Sequence, residues 1–446
     1  MTIREQTAAA SQPDLTVTAA PGRLDAVALL SWYVLLLIAI PSSLVVGAFG
    51  AAGAPAALLA ALLLCWYLVV RLHPALPPHA GAQPVRVAAV LFACGLIAAY
   101  VSANRAAMPA LQENGADRAL IVLCGWLGVL LLAADGIDRA DRLGILLRRI
   151  VLGVTAMAVL GIVEFFTRQD LSTYISIPGL TMHAQATDLM NRNGLVRVVA
   201  TAAQPLEFAT VLAMVLPLAI HQARYAPPAL RTRRWLQVAL IAAVMPMTVS
   251  RTAILGLAVV CLVLFPAWPR RDRRRAYLVT LAMLALIWLI RPAMLSSFGG
   301  LFGQIGTDQS TKSRTGAYSA AAPFIGQHPW FGRAVGTFFP QTYFYVDNQY
   351  LTALIEVGIV GTLALIALFV TGWLTARSAR LAAADAQTRD LAQSLAASVA
   401  VAAACFATFD ALSFSIASGL CFLLLGCVGA LWRLTRAGVS ELTRGS

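Results

Sequence analysis

The chain of 446 residues is 59% hydrophobic, has only 12% charged residues, and has a mean hydropathy of +0.77. This composition excludes an ordinary soluble domain, in which about a quarter of the residues are charged. Repeated apolar runs of about 20 residues predict an all-α, polytopic membrane protein, because helices are the default way to satisfy the backbone in lipid. The net charge of +13 is almost wholly arginine, which we interpret as a cytoplasmic topology signal rather than a nucleic-acid-binding surface.

The apolar runs predict a transmembrane helical bundle over residues 25–432, with about twelve spans. The spans are expected near residues 25–47, 52–72, 86–103, 118–135, 148–167, 205–222, 235–249, 252–268, 276–292, 348–374, 391–409 and 412–432. Alternate connections are rich in arginine, so both termini are predicted to be cytoplasmic. Residues 1–24 are expected to be a disordered cytoplasmic tail without a cleaved signal peptide, and residues 433–446 a second cytoplasmic tail.

This topology places two long loops, residues 168–204 and 293–346, on the extracytoplasmic side. The second loop lies between spans nine and ten and is expected to be partly helical, because apolar residues recur in it at helical spacing. Two short tips, Ser250-Arg251 and Phe409-Asp410, are predicted to face the same side. The polar residues that could carry chemistry therefore converge at one end of the predicted bundle.

The seven cysteines all fall inside apolar runs, and they form neither a CxxC pair nor a metal-ligand spacing. We interpret them as small core residues. The sequence also lacks an HExxH, a GxSxG and a Walker motif, so no metal or cofactor is expected.

Arginines on the predicted extracytoplasmic side are candidates for an anion site. Arg251 stands between two apolar segments with no real loop, and Arg314 begins the amphipathic part of the large loop. Arg192 and Arg197 precede span six, close to the expected membrane surface. A guanidinium presents a planar fork of donors that suits phosphate oxygens. The alternatives are a snorkelling anchor for Arg251 and a solvated charge for Arg314.

The start of span ten carries a second group of candidates. Asp347 and Asn348 could cap the helix, and Asp347 could also act as a base. Asn348, Thr352 and Glu356 are spaced i, i+4, i+8, so they form a polar stripe that must face the bundle interior or a wet cavity. For Glu356 a structural role is favoured over a catalytic one. His328 sits among turn residues, where a loop-packing role is favoured over that of a general base.

Several motifs resemble the O-antigen ligase and polymerase superfamily of bacterial envelope proteins. The run QHPWFGRAVGTF is similar to the family pattern hPlxGxGxGtF, and DNQYLTALIEVGIVG is similar to the segment that follows it in the family. The runs SRTAILGL, SRTGAY and RVVATAAQPLEF resemble further family segments. Together the motifs cover about residues 195–375, whereas the first five spans have no diagnostic residues.

This resemblance implies an inverting, metal-independent glycosyltransferase of the integral-membrane C type in the bacterial inner membrane, acting at its extracytoplasmic face. Its expected partners are a polyprenyl diphosphate-linked glycan donor, a glycan or lipid acceptor, and membrane lipids. The expected catalytic residues are Asp347, Arg251 and Arg314. The expected substrate-binding residues are Arg197, Arg192, Asn348, His328 and Glu356.

The sequence departs from the family at two places. Ligases proper carry His where this chain has Asp347, and the family usually has Gly where Val199–Thr201 stand. Both departures favour a polymerase, or another glycan-transferring member, over a lipid-A-type ligase. The alternative from another functional class is a transporter or flippase of an anionic lipid or solute, although the sequence shows no paired halves. A scaffold in an envelope complex is a third interpretation.

Overall fold

The computed structural model describes residues 25–73, 83–105, 108–182, 191–192, 195–290, 309–340 and 342–444. Fourteen α-helices lie within these residues. In chain order they are α1 (Ala26–Ala39), α2 (Pro55–Leu72), α3 (Pro84–Ala103), α4 (Ala110–Gly136), α5 (Ala140–Thr167), α6 (Pro205–Arg224), α7 (Pro228–Val244), α8 (Arg251–Leu264), α9 (Arg270–Ile290), α10 (Gln309–Gln327), α11 (Gln349–Glu356), α12 (Gly358–Ala382), α13 (Ala386–Cys405) and α14 (Ser415–Arg444).

The described residues also contain five short 3-10 helices and two short antiparallel strand pairs. Strand β1 (Leu44–Val45) pairs with β2 (Thr181–Met182), and β3 (Asn191–Arg192) pairs with β4 (Leu195–Val196). The expected all-α architecture therefore holds, with β-structure limited to connections between helices.

Seven of the described helices are long and apolar enough to cross a membrane. They are α2, α3, α4, α5, α6, α12 and α14, the last over Ser415–Ala437; α1 and the run Arg251–Ala267 are shorter apolar helices. The chain is thus a multi-pass membrane protein by helix length and composition. Every predicted span overlaps a helix, but the count of about twelve spans stays a prediction.

The core lies where α6, α13 and α14 meet, because these helices are buried on nearly all sides. Helix α14 packs against α4 and α12, and α13 packs against α6, α8 and α12. Trp126 of α4 stacks on Phe422 of α14, with ring centroids 4.9 Å apart and planes 2° from parallel. Helix α2 instead exposes apolar side chains such as Leu62, which suit a lipid-facing surface.

Ion pairs between buried or half-buried side chains connect the helices at the arginine-rich end of the bundle. Arg86 at the start of α3 donates to Asp135 near the end of α4 at 2.8 Å. Arg224 at the end of α6 pairs with Asp390 of α13 and, at 2.8 Å, with Asp272 of α9. Because the helices alternate in direction, the starts of α6, α8, α11 and α14 lie at the opposite end.

The structure corrects the prediction of one continuous helix over residues 348–374. Helix α11 ends at Glu356, and α12 begins at Gly358, whose φ is +63°. A side chain at position 358 would place its Cβ 2.4 Å from the carbonyl carbon of Trp330. The break therefore exists because a distant backbone segment passes against the helix at this point.

Two smaller expectations also change. Helix α14 continues through Arg444, past the predicted end of the last span at residue 432. Cys405, Cys421 and Cys427 are buried as expected, but Cys65 and Cys94 are exposed on the bundle surface and are not core residues. The predicted N-terminal tail, residues 1–24, lies outside the described residues.

Candidate functional site

The start of α11 is capped by Asn348. Its Oδ1 atom accepts hydrogen bonds from the backbone N–H groups of Tyr350 at 2.9 Å and Leu351 at 3.4 Å. This confirms the helix-cap interpretation for Asn348. Asp347 directly precedes the cap and is half-buried.

The turn between α13 and α14, here called the 406–412 turn, is fastened to the start of α11. The backbone N–H of Gln349 donates to the carbonyl oxygens of Phe406 at 2.9 Å and Phe409 at 3.1 Å. In return, the backbone N–H of Leu412 donates to Oε1 of Gln349 at 2.7 Å. These bonds bring Asp410, which follows Phe409, beside Asp347.

Asp410 has the most informative electrostatic environment of the site. Burial, together with a smaller contribution from the negative charge of Asp347, raises the pKa of its carboxyl to about 6. The hydroxyls of Ser413 and Thr352 hydrogen-bond to Asp410 and oppose this rise. A carboxylate with a raised pKa is a better proton acceptor near neutral pH. The sequence assigned no role to Asp410, although its position in the tip Phe409-Asp410 could have suggested one.

The start of α8 reaches the same turn. Ser250 caps this helix by accepting a hydrogen bond from the backbone N–H of Thr252 at 3.2 Å. The hydroxyls of Thr252 and Thr408 lie 2.8 Å apart, within hydrogen-bond distance. Arg251, half-buried at the first position of α8, is therefore held next to the 406–412 turn.

Arg197 lies against the segment that leads into α8. Its side chain is only 8% exposed, and its Nε donates to the carbonyl oxygen of Thr248 at 3.2 Å. Thr248 is three residues before Arg251, so two of the predicted arginines come together here. A helix start near these cations adds the positive end of its dipole, which also favours an anion.

The other two predicted arginines are placed only by their backbones. Arg314 stands on α10, four residues before Tyr318, and Arg192 stands in β3. Tyr318 accepts a hydrogen bond at 3.1 Å from Nδ2 of Asn348, which links α10 to the start of α11. The side chains of Arg314 and Arg192 lie outside the described part of the structure.

Glu356 ends the predicted polar stripe and is buried. Its Oε1 accepts hydrogen bonds from the backbone N–H groups of Gly336 at 2.9 Å and Phe338 at 3.3 Å. Thr352, one turn earlier, is also buried and bonds to the carbonyl oxygen of Asn348 at 3.2 Å. The described contacts of Glu356 hold the loop that precedes α11, and its role in substrate binding stays a prediction.

His328 lies exposed just past the end of α10, where its carbonyl oxygen accepts a hydrogen bond from the N–H of Gly332 at 3.0 Å. The following carbonyls of Pro329 and Trp330 accept hydrogen bonds from Ile359 and Val360 of α12. The HPWFG turn, residues 328–332, therefore stabilises the first turn of α12 by accepting hydrogen bonds from its backbone N–H groups.

Two alanines adopt backbone conformations that favour glycine. Ala200 has a φ of +54° and lies in the Val199–Thr201 segment, where the family usually has Gly. Ala334 has a φ of +75° and stands at the middle glycine of the hPlxGxGxGtF pattern. Ala334 is thus a further departure from the family pattern, and both alanines lie where the fold requires the left-handed region.

Comparison with known protein families gives one match. A family model described as O-antigen ligase matches residues 236–366, a range that includes Arg251, Asp347 and Glu356. No curated protein matches the chain. The family implies a membrane glycosyltransferase-like activity on a lipid-linked glycan and a glycan acceptor. The match covers the motifs SRTAILGL, SRTGAY, QHPWFGRAVGTF and DNQYLTALIEVGIVG, so this part of the chain is similar to the O-antigen ligase family, as the motifs suggested.

Proposed function

We propose that the protein is a glycan polymerase or ligase that transfers a glycan from a polyprenyl diphosphate donor to an acceptor hydroxyl during envelope or extracellular polysaccharide synthesis. The observation that supports this proposal is the convergence of the starts of α8 and α11 on the 406–412 turn, within a chain that matches the O-antigen ligase model. We place the site at the extracytoplasmic face of the bacterial inner membrane, because the arginine-rich helix ends lie at the other end of the bundle.

In the proposed reaction, the acceptor oxygen attacks the anomeric carbon from the side opposite the diphosphate. The bond between the anomeric carbon and the diphosphate oxygen breaks, so the anomeric configuration inverts and polyprenyl diphosphate leaves. The acceptor proton passes to the carboxylate of Asp347. Negative charge develops on the leaving diphosphate, and Arg251 and Arg197 balance that charge without a metal, with Arg314 and Arg192 as further donors.

Asp410 supports the assignment of Asp347 as the base. The two carboxylates are held side by side by the bonds of Gln349 to the 406–412 turn. Asp410 has a pKa raised towards neutrality, so a proton taken up at this site can be shared by the two acids. Thr352 and Ser413 hold Asp410 through their hydroxyls. Such a carboxylate pair can replace the histidine that ligases carry.

The test is transfer or elongation of the lipid-linked oligosaccharide isolated from the host, with the purified protein in proteoliposomes. Arg251→Gln and Asp347→Asn are each expected to reduce the rate by about a hundredfold or more, the effect typical of losing a transition-state contact or a general base. Arg231→Gln is the matched control, since Arg231 is exposed on α7 near the arginine-rich end. Full activity of both site variants would overturn the proposal. Movement of labelled lipid across the bilayer without glycosyl transfer would favour the transporter alternative.

A further inference from the structure

The aromatic residues around α10 divide into a packed set and an exposed set. Phe338 stacks on Tyr343 with centroids 4.9 Å apart, and Phe324 and Phe344 pack edge-on against this pair. Tyr318 is 54% exposed instead, although it belongs to the same helix as Phe324. Exposure of one ring beside a packed aromatic cluster shows that the cluster does not need Tyr318 for its packing.

Tyr318 is nonetheless fixed in position. Its phenolic oxygen accepts a hydrogen bond from Nδ2 of Asn348 at 3.1 Å, and Oδ1 of the same side chain caps α11. Tyr318 is therefore bonded to the residue that directly follows Asp347 in the chain. Its phenolic oxygen accepts this bond, so the phenolic proton is still available for donation to a ligand. Tyr345, two residues before Asp347, is 65% exposed. One exposed tyrosine is thus bonded to the residue that follows the proposed base, and a second precedes that base by two residues in the chain.

Exposed aromatic faces beside polar groups have a specific chemical use at a glycan site. The C–H groups on one face of a sugar ring stack on an aromatic face, while its hydroxyls exchange hydrogen bonds with polar side chains. An exposed aromatic could also be an anchor in the membrane interface. The bond between Tyr318 and the cap residue of α11 favours the sugar, because it ties the ring to the site rather than to lipid.

We propose that Tyr318 and Tyr345 form a sugar-binding platform at the solvent-exposed edge of the site. This platform binds the sugar nearest the diphosphate of the lipid-linked glycan. The inference rests on the proposed function. The arginines recognise the diphosphate, whereas the tyrosine rings recognise the glycan. Tyr318 therefore contributes to the choice of glycan and sets its angle of approach to Asp347.

Two probes separate these roles. One is farnesyl diphosphate, which has a diphosphate and an isoprenoid but no sugar, and the other is the lipid-linked oligosaccharide of the host. Tyr318→Ala is expected to weaken binding of the oligosaccharide about tenfold and to leave farnesyl diphosphate unchanged. Tyr318→Phe keeps the ring and loses only its hydroxyl, so it is expected to bind the oligosaccharide within about threefold of the parent protein. In the transfer assay, Tyr318→Ala should raise KM more than it lowers kcat.

Tyr277→Ala is the matched control, because Tyr277 is 55% exposed but lies near the start of α9 at the arginine-rich end. It should leave binding of both probes unchanged. The platform proposal would be overturned if Tyr318→Ala weakened the binding of both probes equally. It would also be overturned if this substitution weakened the binding of neither probe. Arg251→Gln should weaken both probes. If it weakens neither while Tyr318→Ala still weakens the oligosaccharide alone, the diphosphate role in the proposed function fails and the platform stands.

Discussion

Oε1 of Glu356 accepts a 2.9 Å hydrogen bond from the backbone N–H of Gly336, twenty residues earlier in the chain. Gly332 of the same loop passes so close to α11 that an added Cβ would lie 2.3 Å from the carbonyl of Glu356. A buried carboxylate and a glycine contact thus fix the loop against the end of α11, the helix that Asn348 caps. Glu207 acts similarly at the start of α14, where it accepts a 2.9 Å bond from the N–H of Ile416.

Glu356→Ala is expected to destabilise the fold by about 2–4 kcal/mol, because it leaves two loop N–H groups without their acceptor. Glu356→Gln keeps an oxygen that can accept those bonds and should cost less than half as much. Thermal unfolding of the purified protein in detergent measures both. Hydrogen exchange at residues 336–338 should rise in the alanine variant alone.

Glu113→Ala is the control for this pair, because Glu113 is an exposed glutamate in the first turn of α4. Its effect should stay below about 0.5 kcal/mol. An unfolding temperature for Glu356→Ala equal to that of the Glu113 variant would show that the loop is held by other contacts.

The parts of the structure that depend on local pattern could be predicted from sequence. Apolar runs located a helix at every expected span, and Asn348 caps α11 as its position before the helix suggested. The parts that depend on distant contacts could not. The break at Gly358 needs the backbone of Trp330, and the place of Asp410 needs the bonds between Gln349 and Phe409. No periodicity within one segment contains that information.

Ala334→Gly is expected to leave stability unchanged or raise it by about 1 kcal/mol. The substitution relieves the cost of a left-handed alanine, about 1–2 kcal/mol, which offsets the extra freedom that glycine gives the unfolded chain. Ala209→Gly is the opposite control, since Ala209 is equally buried but lies inside α6. That variant should lose about 1 kcal/mol. Equal losses in thermal unfolding for the two variants would contradict the strain argument.

Asp347→His is expected to retain measurable transfer activity, whereas Asp347→Asn should lose it. An imidazole has an ordinary pKa of about 6.5 and can take up the acceptor proton, but a carboxamide cannot. The substitution also restores the residue that ligases carry, so some activity towards a lipid acceptor could be gained and should be assayed beside elongation. Equal activity of the His and Asn variants would show that position 347 does not exchange a proton.

Asp390→Asn is expected to destabilise the fold by about 3 kcal/mol, because it removes the buried carboxylate that pairs with both Arg224 and His221. The matched control is Asp141→Asn. Asp141 pairs with Arg139 at 3.0 Å, but both side chains are largely exposed, so that change should cost less than about 1 kcal/mol. Thermal unfolding distinguishes the two, and similar losses would mean that the α6–α13 contact does not depend on charge.

Asp410 should make stability fall as the pH rises through about 6. Burial raises the pKa of its carboxyl to about 6 in the folded state, above the ordinary value of 3.8, so the folded protein binds this proton more tightly than the unfolded chain. The stabilising contribution of this proton is therefore complete below about pH 4 and is lost as the pH rises from there through 6. Asp410→Asn has no such proton. The difference between its unfolding temperature and that of the parent protein should therefore change in favour of the variant between pH 4 and 7 and stay constant above pH 7. Asp347 and Glu356 also act on Asp410, so the comparison uses the difference between variant and parent rather than either curve alone. A constant difference from pH 4 to 8 would show that the half-buried position of Asp410 beside Asp347 does not raise the pKa of its carboxyl.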